Sequence, residues 1–167
     1  MVYSMDTLIV FAELTIAFVA FSVIVASLRV TSGEPLSPFQ ILLITFFTEC
    51  GLLVFTVSLS PLVLFQYWPD ELLVAKMATW IAFISVALYL PFYLWRRSRI
   101  NAPLSVSMVV NALGWFICGI ILGQSLLGIF WDPSMAQVVT FIFWGLCSLS
   151  LAFVTFLSSF VSKERHA

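Results

Sequence analysis

One apolar stretch, Phe39 to Phe65, is long enough to cross a bilayer and carries a carboxylate, Glu49, near its middle. A membrane-spanning helix needs about 20 predominantly apolar residues. An ionised side chain at the centre of such a helix costs roughly 2.5 to 3.5 kcal/mol on the insertion scale. Thr45, Thr56 and Ser60 fall on the same side as Glu49 at helical spacing. We therefore expect this polar face to be turned towards other helices or towards a hydrated cavity.

The composition extends this conclusion to the whole chain. Hydrophobic residues make up 62% of it and charged residues 9%, with a mean hydropathy of +1.13, whereas soluble domains are near half apolar and a quarter charged. The sequence predicts an all-α, polytopic membrane protein with five transmembrane helices in a single domain, residues 1–167. The expected spans are residues 7–28, 39–64, 72–95, 103–127 and 136–160.

Proline residues indicate where several of these helices begin or end. Ser37 followed by Pro38 is typical of an N-cap with proline at the first helical position, and predicts the start of the second helix. Asp132 followed by Pro133 predicts the start of the fifth helix in the same way. Pro61 lacks an N–H group, so we expect it to bend or end the second helix.

Basic residues lie at one set of helix ends. The cluster Arg96, Arg97 and Arg99 follows the third span, and placing it in the cytoplasm brings Arg29, Lys163 and Arg165 to the same side. This arrangement satisfies the positive-inside rule. The acidic residues near helix ends then fall outside: Asp6, Asp70, Glu71 and Asp132. The prediction is an outside N-terminus and a cytoplasmic C-terminus.

Polar residues inside the spans are the candidate functional residues. Glu49, Asn111 and Ser148 come to similar depths near the bilayer centre, whereas Glu13 and Lys76 form a shallower layer towards the outer end. In a functional arrangement these groups line an ion or proton pathway, with Glu13 as an outer cation site and Glu49 binding a cation or exchanging a proton. In a structural arrangement, a protonated Glu49 is hydrogen-bonded to Asn111 or to a threonine, and Glu13 pairs with Lys76.

Small residues indicate the helix-packing faces. Gly119 and Gly123 form a GxxxG pair, which lets helices approach closely within a protomer or between subunits. A face of small and hydroxyl-bearing residues on the fifth helix comprises Gly145, Ser148, Ala152, Thr155 and Ser159. A similar seam on the first helix comprises Glu13, Ala17, Ala20 and Ser27. We expect all three to be packing faces.

Several classes of function lack the residues that they require. The formal net charge of -1 provides no basic surface for nucleic acid. The single histidine lies in the tail at position 166, and Cys50, Cys118 and Cys147 all lie in apolar runs without metal-ligand spacing. The spans contain no Ser–His pair and no other catalytic constellation. We therefore expect no enzymatic activity, no resident metal and no cofactor.

The first helix, FAELTIAFVAFSVIVASLR with Glu13, resembles the opening helix of small, uncharacterised bacterial multi-pass membrane proteins that begin with a similar AEL, AF, F and LR pattern. The resemblance covers residues 11–29 and implies no activity. It implies a location in a cell membrane, the inner membrane of a bacterium. Ala12 with Glu13 is also similar to the first span of small multidrug resistance transporters, from which this chain differs in its length and its fifth helix.

Two functions are compatible with these features. The first is a homo-oligomeric, channel-like or proton/cation-translocating membrane protein that uses Glu49 and Glu13. Five helices of this size enclose little volume, so facing polar seams in an oligomer form a route more naturally than one protomer does. The alternative is a non-catalytic membrane subunit or scaffold that docks a separate membrane or cytosolic partner through its small-residue helix faces.

Overall fold

A computed structural model describes residues 2–31, 36–100 and 106–164. These ranges form α1 (Val2–Thr31), α2 (Pro38–Tyr67), α3 (Glu71–Ile100), α4 (Val106–Leu126) and α5 (Met135–Glu164). All five helices are long and apolar enough to cross a membrane. The predicted all-helical architecture with five candidate spans is therefore confirmed, and these helices indicate a membrane location.

Capping residues determine where α2 and α3 begin. The Ser37 hydroxyl accepts a hydrogen bond from the Gln40 backbone N–H at 3.2 Å, and the Gln40 side chain accepts from the Ser37 N–H at 3.0 Å. This reciprocal capping box precedes Pro38 in the first turn, which confirms the predicted start of α2. At the start of α3, the Asp70 carboxylate accepts from the Leu72 N–H at 2.9 Å, where an acidic group also favours the helix dipole.

Pro61 does not end α2, so that part of the prediction is wrong. The helix continues through Pro61 to Tyr67. Proline cannot donate a hydrogen bond to the carbonyl of Val57, four residues earlier. The Ser60 hydroxyl donates to that carbonyl instead, at 2.9 Å. A side-chain donor thus satisfies the backbone group that proline leaves open.

The predicted cap of α5 at Asp132 and Pro133 is also wrong, although the expected span from residue 136 agrees with the helix. The helix begins at Met135, after Ser134, rather than at Pro133. The Gln137 side-chain oxygen accepts from the Ser134 N–H at 3.2 Å and from the Ser125 hydroxyl at 2.7 Å. These bonds satisfy the backbone at the start of α5 and tie it to the end of α4. The predicted start of the fourth span at position 103 lies outside the described residues.

Helices that follow one another in the chain run antiparallel. Phe46, early in α2, packs on Tyr93, late in α3, with ring centroids 5.1 Å apart. Ser107, at the start of α4, lies 3.0 Å from the Thr155 hydroxyl of α5. This alternation brings the Arg96–Arg99 segment and the start of α2 to the same end of the bundle, hereafter the basic end. Which end faces the cytoplasm stays a prediction from the positive-inside rule.

The second helix is in contact with α1, α3 and α5, and α5 contacts all four of the other helices. Glycine permits two of these contacts. A Cβ atom at Gly145 of α5 would overlap the Val54 side chain of α2, and one at Gly51 of α2 would overlap the Val19 side chain of α1. Around these contacts the interior is filled by fully buried apolar side chains, among them Phe47, Val57, Phe141, Ile142, Leu149 and Phe156.

The packing face predicted for α1 is wrong. The seam of Glu13, Ala17, Ala20 and Ser27 is exposed on the outside of the bundle, and is called the α1 outer face below. The buried side of α1 includes Thr15 and Ser22, whose hydroxyls donate to carbonyls of their own helix at 2.7 and 2.8 Å. With their donors used locally, these short side chains can pack against α2 and α5 as small residues do.

Candidate functional site

An ion pair joins Glu49 on α2 to Arg96 on α3. The Nη1 atom of Arg96 donates to Oε1 of Glu49 at 2.9 Å, and Nη2 contacts Oε2. Two parallel bonds between guanidinium and carboxylate form the strong, orientation-specific version of this pair. The predicted partners of Glu49, Asn111 or a threonine, are therefore wrong. The cause is the reach of an arginine that the sequence places beyond the apolar part of α3.

The positions of the two residues explain this geometry. Glu49 is the twelfth of the thirty residues of α2, and Arg96 lies four residues before the end of α3 at Ile100. At about 1.5 Å per residue, Glu49 is roughly 16 Å from the start of its helix. Arg96 therefore extends its side chain along α3, away from the basic end, and its guanidinium lies 5.0 Å from the ring centre of Phe92. Glu49 lies in the basic half of α2 rather than at its midpoint.

The ion pair borders an open groove on the outside of the bundle. This groove has a volume of about 390 Å³ and is lined by Glu49, Leu52, Leu53, Thr56, Ser85, Tyr89 and Phe92. The side chain of Glu49 is 33% exposed and that of Arg96 is 24% exposed. The hydroxyl of Thr56 donates to the carbonyl of Leu52 in its own helix at 2.8 Å. Beyond Glu49, the polar side of α2 thus faces an open groove between α2 and α3, where the prediction was a face turned towards other helices or a hydrated cavity.

A second polar group, here called the amide–hydroxyl network, joins α4 to α5. The Ser148 hydroxyl donates to Oδ1 of Asn111 at 2.6 Å, and Nε1–H of Trp115 donates to the Ser148 hydroxyl at 3.0 Å. All three side chains are buried. The Cys50 thiol of α2 also hydrogen-bonds with Ser148, whereas Glu49 itself is paired with Arg96 and is not a member of the network. The hydrogen bonds of the network hold two helices together.

Glu13 and Lys76 are exposed on two different helices. Over the described residues, α1 makes no helix contact with α3. The predicted Glu13–Lys76 pair is therefore wrong for a single protomer, because α2 and α5 separate the helices that carry the two residues. Both side chains face outwards, in the half of the bundle opposite to the basic end.

The glycine residues predicted for packing lie at helix contacts inside the protomer. A Cβ atom at Gly119 would lie 3.4 Å from Val86 of α3, and one at Gly123 would lie 3.2 Å from Phe83. Gly145 is packed more closely than either of these, because a Cβ atom there would overlap Val54 of α2. On the predicted face of α5, Gly145, Ser148 and Ala152 are buried and Thr155 is half-buried, whereas the side chain at position 159 lies outside the description.

Sequence reasoning missed Arg96 as a site residue, although a usable signal was present. Counted from Pro69 in the short turn, Glu49 lies 20 residues before it and Arg96 lies 27 residues after it. The offset of seven residues corresponds to about 10 Å along antiparallel helices. A long arginine side chain and a glutamate side chain can bridge much of this distance.

The Glu49 carboxylate is a group that can bind a cation or a proton in place of Arg96. Among residues 2–31, 36–100 and 106–164, no group of three or more His, Cys, Asp and Glu side chains is arranged to hold a metal ion. Comparisons with protein-family models, curated proteins and solved structures gave no match. The functional proposal therefore depends on the geometry of the chain itself.

Proposed function

We propose that the protein is a homo-oligomeric, channel-like membrane protein that moves protons or small cations between its protomers. One observation carries the proposal: Glu13 and Glu49, the carboxylates farthest from the helix ends, both reach the outer surface of the bundle. A charge on a lipid-facing helix costs about 2.5 to 3.5 kcal/mol near the bilayer centre. A second copy that covers these surfaces and encloses water between the copies reduces that cost.

The interior of one protomer has few features of an ion or proton pathway. Fully buried side chains such as Phe47, Phe141 and Leu149 fill much of the space between the helices, and the cavity that remains among α2, α3, α4 and α5 has mostly apolar walls. The polar groups of the amide–hydroxyl network are hydrogen-bonded to one another, since Ser148 bonds to both Asn111 and Trp115. A pathway that uses Glu49 is therefore placed in the open groove between α2 and α3, with its other wall supplied by the neighbouring protomer.

In this proposal Arg96 controls access to Glu49. A guanidinium stays positively charged, so it repels an entering cation while it holds the carboxylate. A cation or proton that binds Glu49 breaks the ion pair and releases Arg96 towards the basic end. The hydroxyl groups of Thr56 and Ser85, which line the same groove, supply oxygen atoms for an ion or for water next to the carboxylate.

Flux measurements test the role of the carboxylates. Glu49→Gln in proteoliposomes should reduce proton or cation flux by at least about tenfold, because glutamine keeps the shape but cannot take up the charge or the proton. Glu13→Gln should also reduce flux. Glu71→Gln serves as the matched control, because Glu71 is an exposed acid in the first turn of α3. Unchanged flux in both Glu49→Gln and Glu13→Gln would refute the proposal.

The mass of the purified particle in mild detergent tests the assembly. We expect an oligomer that buries the α1 outer face, because Ala17 and Ala20 permit close helix approach beside the charged Glu13. Ala17→Leu and Ala20→Leu should weaken this oligomer, whereas Ala87→Leu, an equal change on the exposed side of α3, should not. A monomer at all protein concentrations would contradict the assembly.

A second candidate, a non-catalytic membrane subunit or scaffold, is favoured by the ion pair itself. Glu49 and Arg96 neutralise each other, and such a pair can simply fix α2 against α3. Because Gly119 and Gly123 contact α3 within the protomer, the small-residue surface left for a partner is the α1 outer face. This candidate predicts recovery of a stoichiometric second protein, lost on Ala17→Leu, and no flux from the purified chain.

A further inference from the structure

An apolar cavity of about 330 Å³ lies among α2, α3, α4 and α5, and it shares the wall formed by Leu53, Ser85 and Tyr89 with the Glu49 groove. Its walls are mostly apolar side chains, including Phe46, Leu53, Val86, Trp115 and Phe141. Ligand sites in proteins typically have volumes of about 300 to 1,000 Å³ and combine such walls with a few polar groups. The cavity therefore has the size and lining of a binding site for an apolar ligand or part of one.

One end of the cavity is cationic. Arg97 lines it and is 8% exposed. Its guanidinium contacts the Met108 sulfur across the α3–α4 contact and hydrogen-bonds with Tyr93. The adjacent Arg96 is turned to the other side of α3, where it binds Glu49. The cavity thus presents a positive charge at the basic end of the bundle, where buried cations suit acidic head groups.

A second polar group, the hydroxyl of Tyr89, lies deeper in the cavity wall. Tyr89, two helical turns from Arg97, lines the cavity. Within the part of the chain that the structure describes, its hydroxyl is buried without a hydrogen-bond partner. A buried hydroxyl normally has a partner, because leaving it unsatisfied is costly. A ligand with an oxygen atom below its acidic head would provide one, as the ester carbonyl of a phospholipid does.

The cavity opens sideways between α3 and α4. Its rim includes Leu94, Val109, Leu113 and Phe116, which are exposed on the apolar surface of the bundle. Arg97 lies three residues before the end of α3, and the wall extends back to Val86, eleven residues earlier. This separation is about 16 Å along the helix. The long axis therefore runs from the helix end into the apolar zone, as an acyl chain does below its head group.

We propose that this cavity binds one anionic phospholipid per protomer, with the acidic head at Arg97 and an acyl chain along the apolar wall. The sideways opening gives access from the bilayer, and the ester region meets Tyr89. A free fatty acid carries no ester oxygen below its head and satisfies fewer of these features. The site goes beyond the proposed ion pathway, because neither Glu49 nor Glu13 lines the cavity.

Native mass spectrometry of the full-length protein tests the head-group contact. Phosphatidylglycerol should bind with a Kd about tenfold lower than phosphatidylcholine of the same chains, the size of one charge-assisted hydrogen bond. Arg97→Gln should remove this preference, and Arg97→Lys should retain most of it. Arg99→Gln is the control, because Arg99 is exposed and lies 4.6 Å over the Trp95 ring. An equal loss in Arg99→Gln would overturn the proposal.

Two further variants test the cavity without changing charge. Ala112 lines the cavity, so Ala112→Leu should reduce retention of both lipids, whereas Ala87→Leu on the exposed side of α3 should not. Tyr89→Phe should weaken binding of phospholipid several-fold. Unchanged retention in Ala112→Leu would overturn the proposal, as would equal binding of the two phospholipids by the wild-type protein. Tighter binding of a free fatty acid with the same chain would do so as well.

Discussion

A double-mutant cycle on Glu49 and Arg96 gives a quantitative test of the ion pair. The single variant Glu49→Gln removes one charge with little change of shape, Arg96→Gln removes the guanidinium with its charge, and the double variant removes both charges. We expect the two single changes to be destabilising and the double variant to be more stable than the sum of the singles implies. Such non-additivity is the signature of a direct interaction.

The size of the effect follows from the geometry. Exposed ion pairs contribute about 0 to 1 kcal/mol, whereas breaking a buried pair costs about 3 to 5 kcal/mol. With side chains 33% and 24% exposed and two parallel hydrogen bonds, this pair lies between these limits. We expect a coupling energy of about 1.5 to 2.5 kcal/mol.

The two single variants should differ in cost. Without Glu49, the long side chain of Arg96 can turn back towards the basic end and keep its charge in water. Without Arg96, the shorter side chain of Glu49 stays in the groove with an unpaired charge. Arg96→Gln also loses the contact over Phe92, worth about 0.5 to 1 kcal/mol. Arg96→Gln should therefore be the more destabilising variant, by about 1 kcal/mol.

Equilibrium unfolding in mixed micelles of a mild and a denaturing detergent measures these free energies. Arg99→Gln provides the baseline for removing an exposed arginine from the same helix end, and should change the unfolding free energy by less than about 0.5 kcal/mol. A coupling energy below about 0.5 kcal/mol would show that the ion pair does not stabilise the fold. A larger cost for Glu49→Gln than for Arg96→Gln would refute the argument from side-chain reach.

Three further predictions concern the packing of the bundle. Ser148→Ala removes the centre of the amide–hydroxyl network and should destabilise the protein by about 1 to 3 kcal/mol, whereas Thr140→Ala on the exposed side of α5 should change stability by less than about 0.5 kcal/mol in the same unfolding assay. Gly145→Ala should lower the unfolding midpoint because its Cβ atom meets Val54, and the second change Val54→Ala should restore part of the loss. Cys50, which is 1% exposed, should resist maleimide labelling in mild detergent and react once the helices are unfolded; rapid labelling of the folded protein would contradict its burial.

Helix number and several helix ends could be predicted because they depend on local chemistry. A run of about 20 apolar residues forms a spanning helix whatever its neighbours are, since its backbone must satisfy its own hydrogen bonds in lipid. Ser37 and Pro38 act on the first turn of α2 in the same local way. Pro61 misled the prediction because Ser60, the residue next to it, replaces the missing hydrogen bond.

The choice of packing face could not be predicted for α1. In water the apolar side of a helix identifies its buried side, but in lipid both sides can be apolar, and small size becomes the main guide. The sequence offered two small-residue sides on α1. The side with Ala12, Thr15 and Ser22 packs inside the protomer, and the side with Ala17 and Ala20 does not. The hydroxyl groups of Thr15 and Ser22 make the first side polar in the sequence. In the structure they bond to carbonyls of their own helix, so this side packs as an apolar one does.

Glu49 was identified from its cost in an apolar segment, but its partner was not. A search for polar residues at equal depth favours neighbours such as Asn111, whose backbone lies at the right level. It overlooks arginine, whose charged group lies several ångströms from its backbone and can extend in either direction along a helix. The depth of a guanidinium therefore depends on which charge it finds, and the sequence alone does not specify that.

The third helix connects the two proposed sites through consecutive residues. Neighbouring residues on an α-helix project about 100° apart, so Arg96 faces Glu49 while Arg97 faces the cavity. Tyr89 lines both spaces. A lipid bound at Arg97 therefore contacts the same two turns of α3 that hold Arg96 against Glu49. If the groove conducts and the cavity binds lipid, the bilayer composition acts on the ion pair through the position of this one helix.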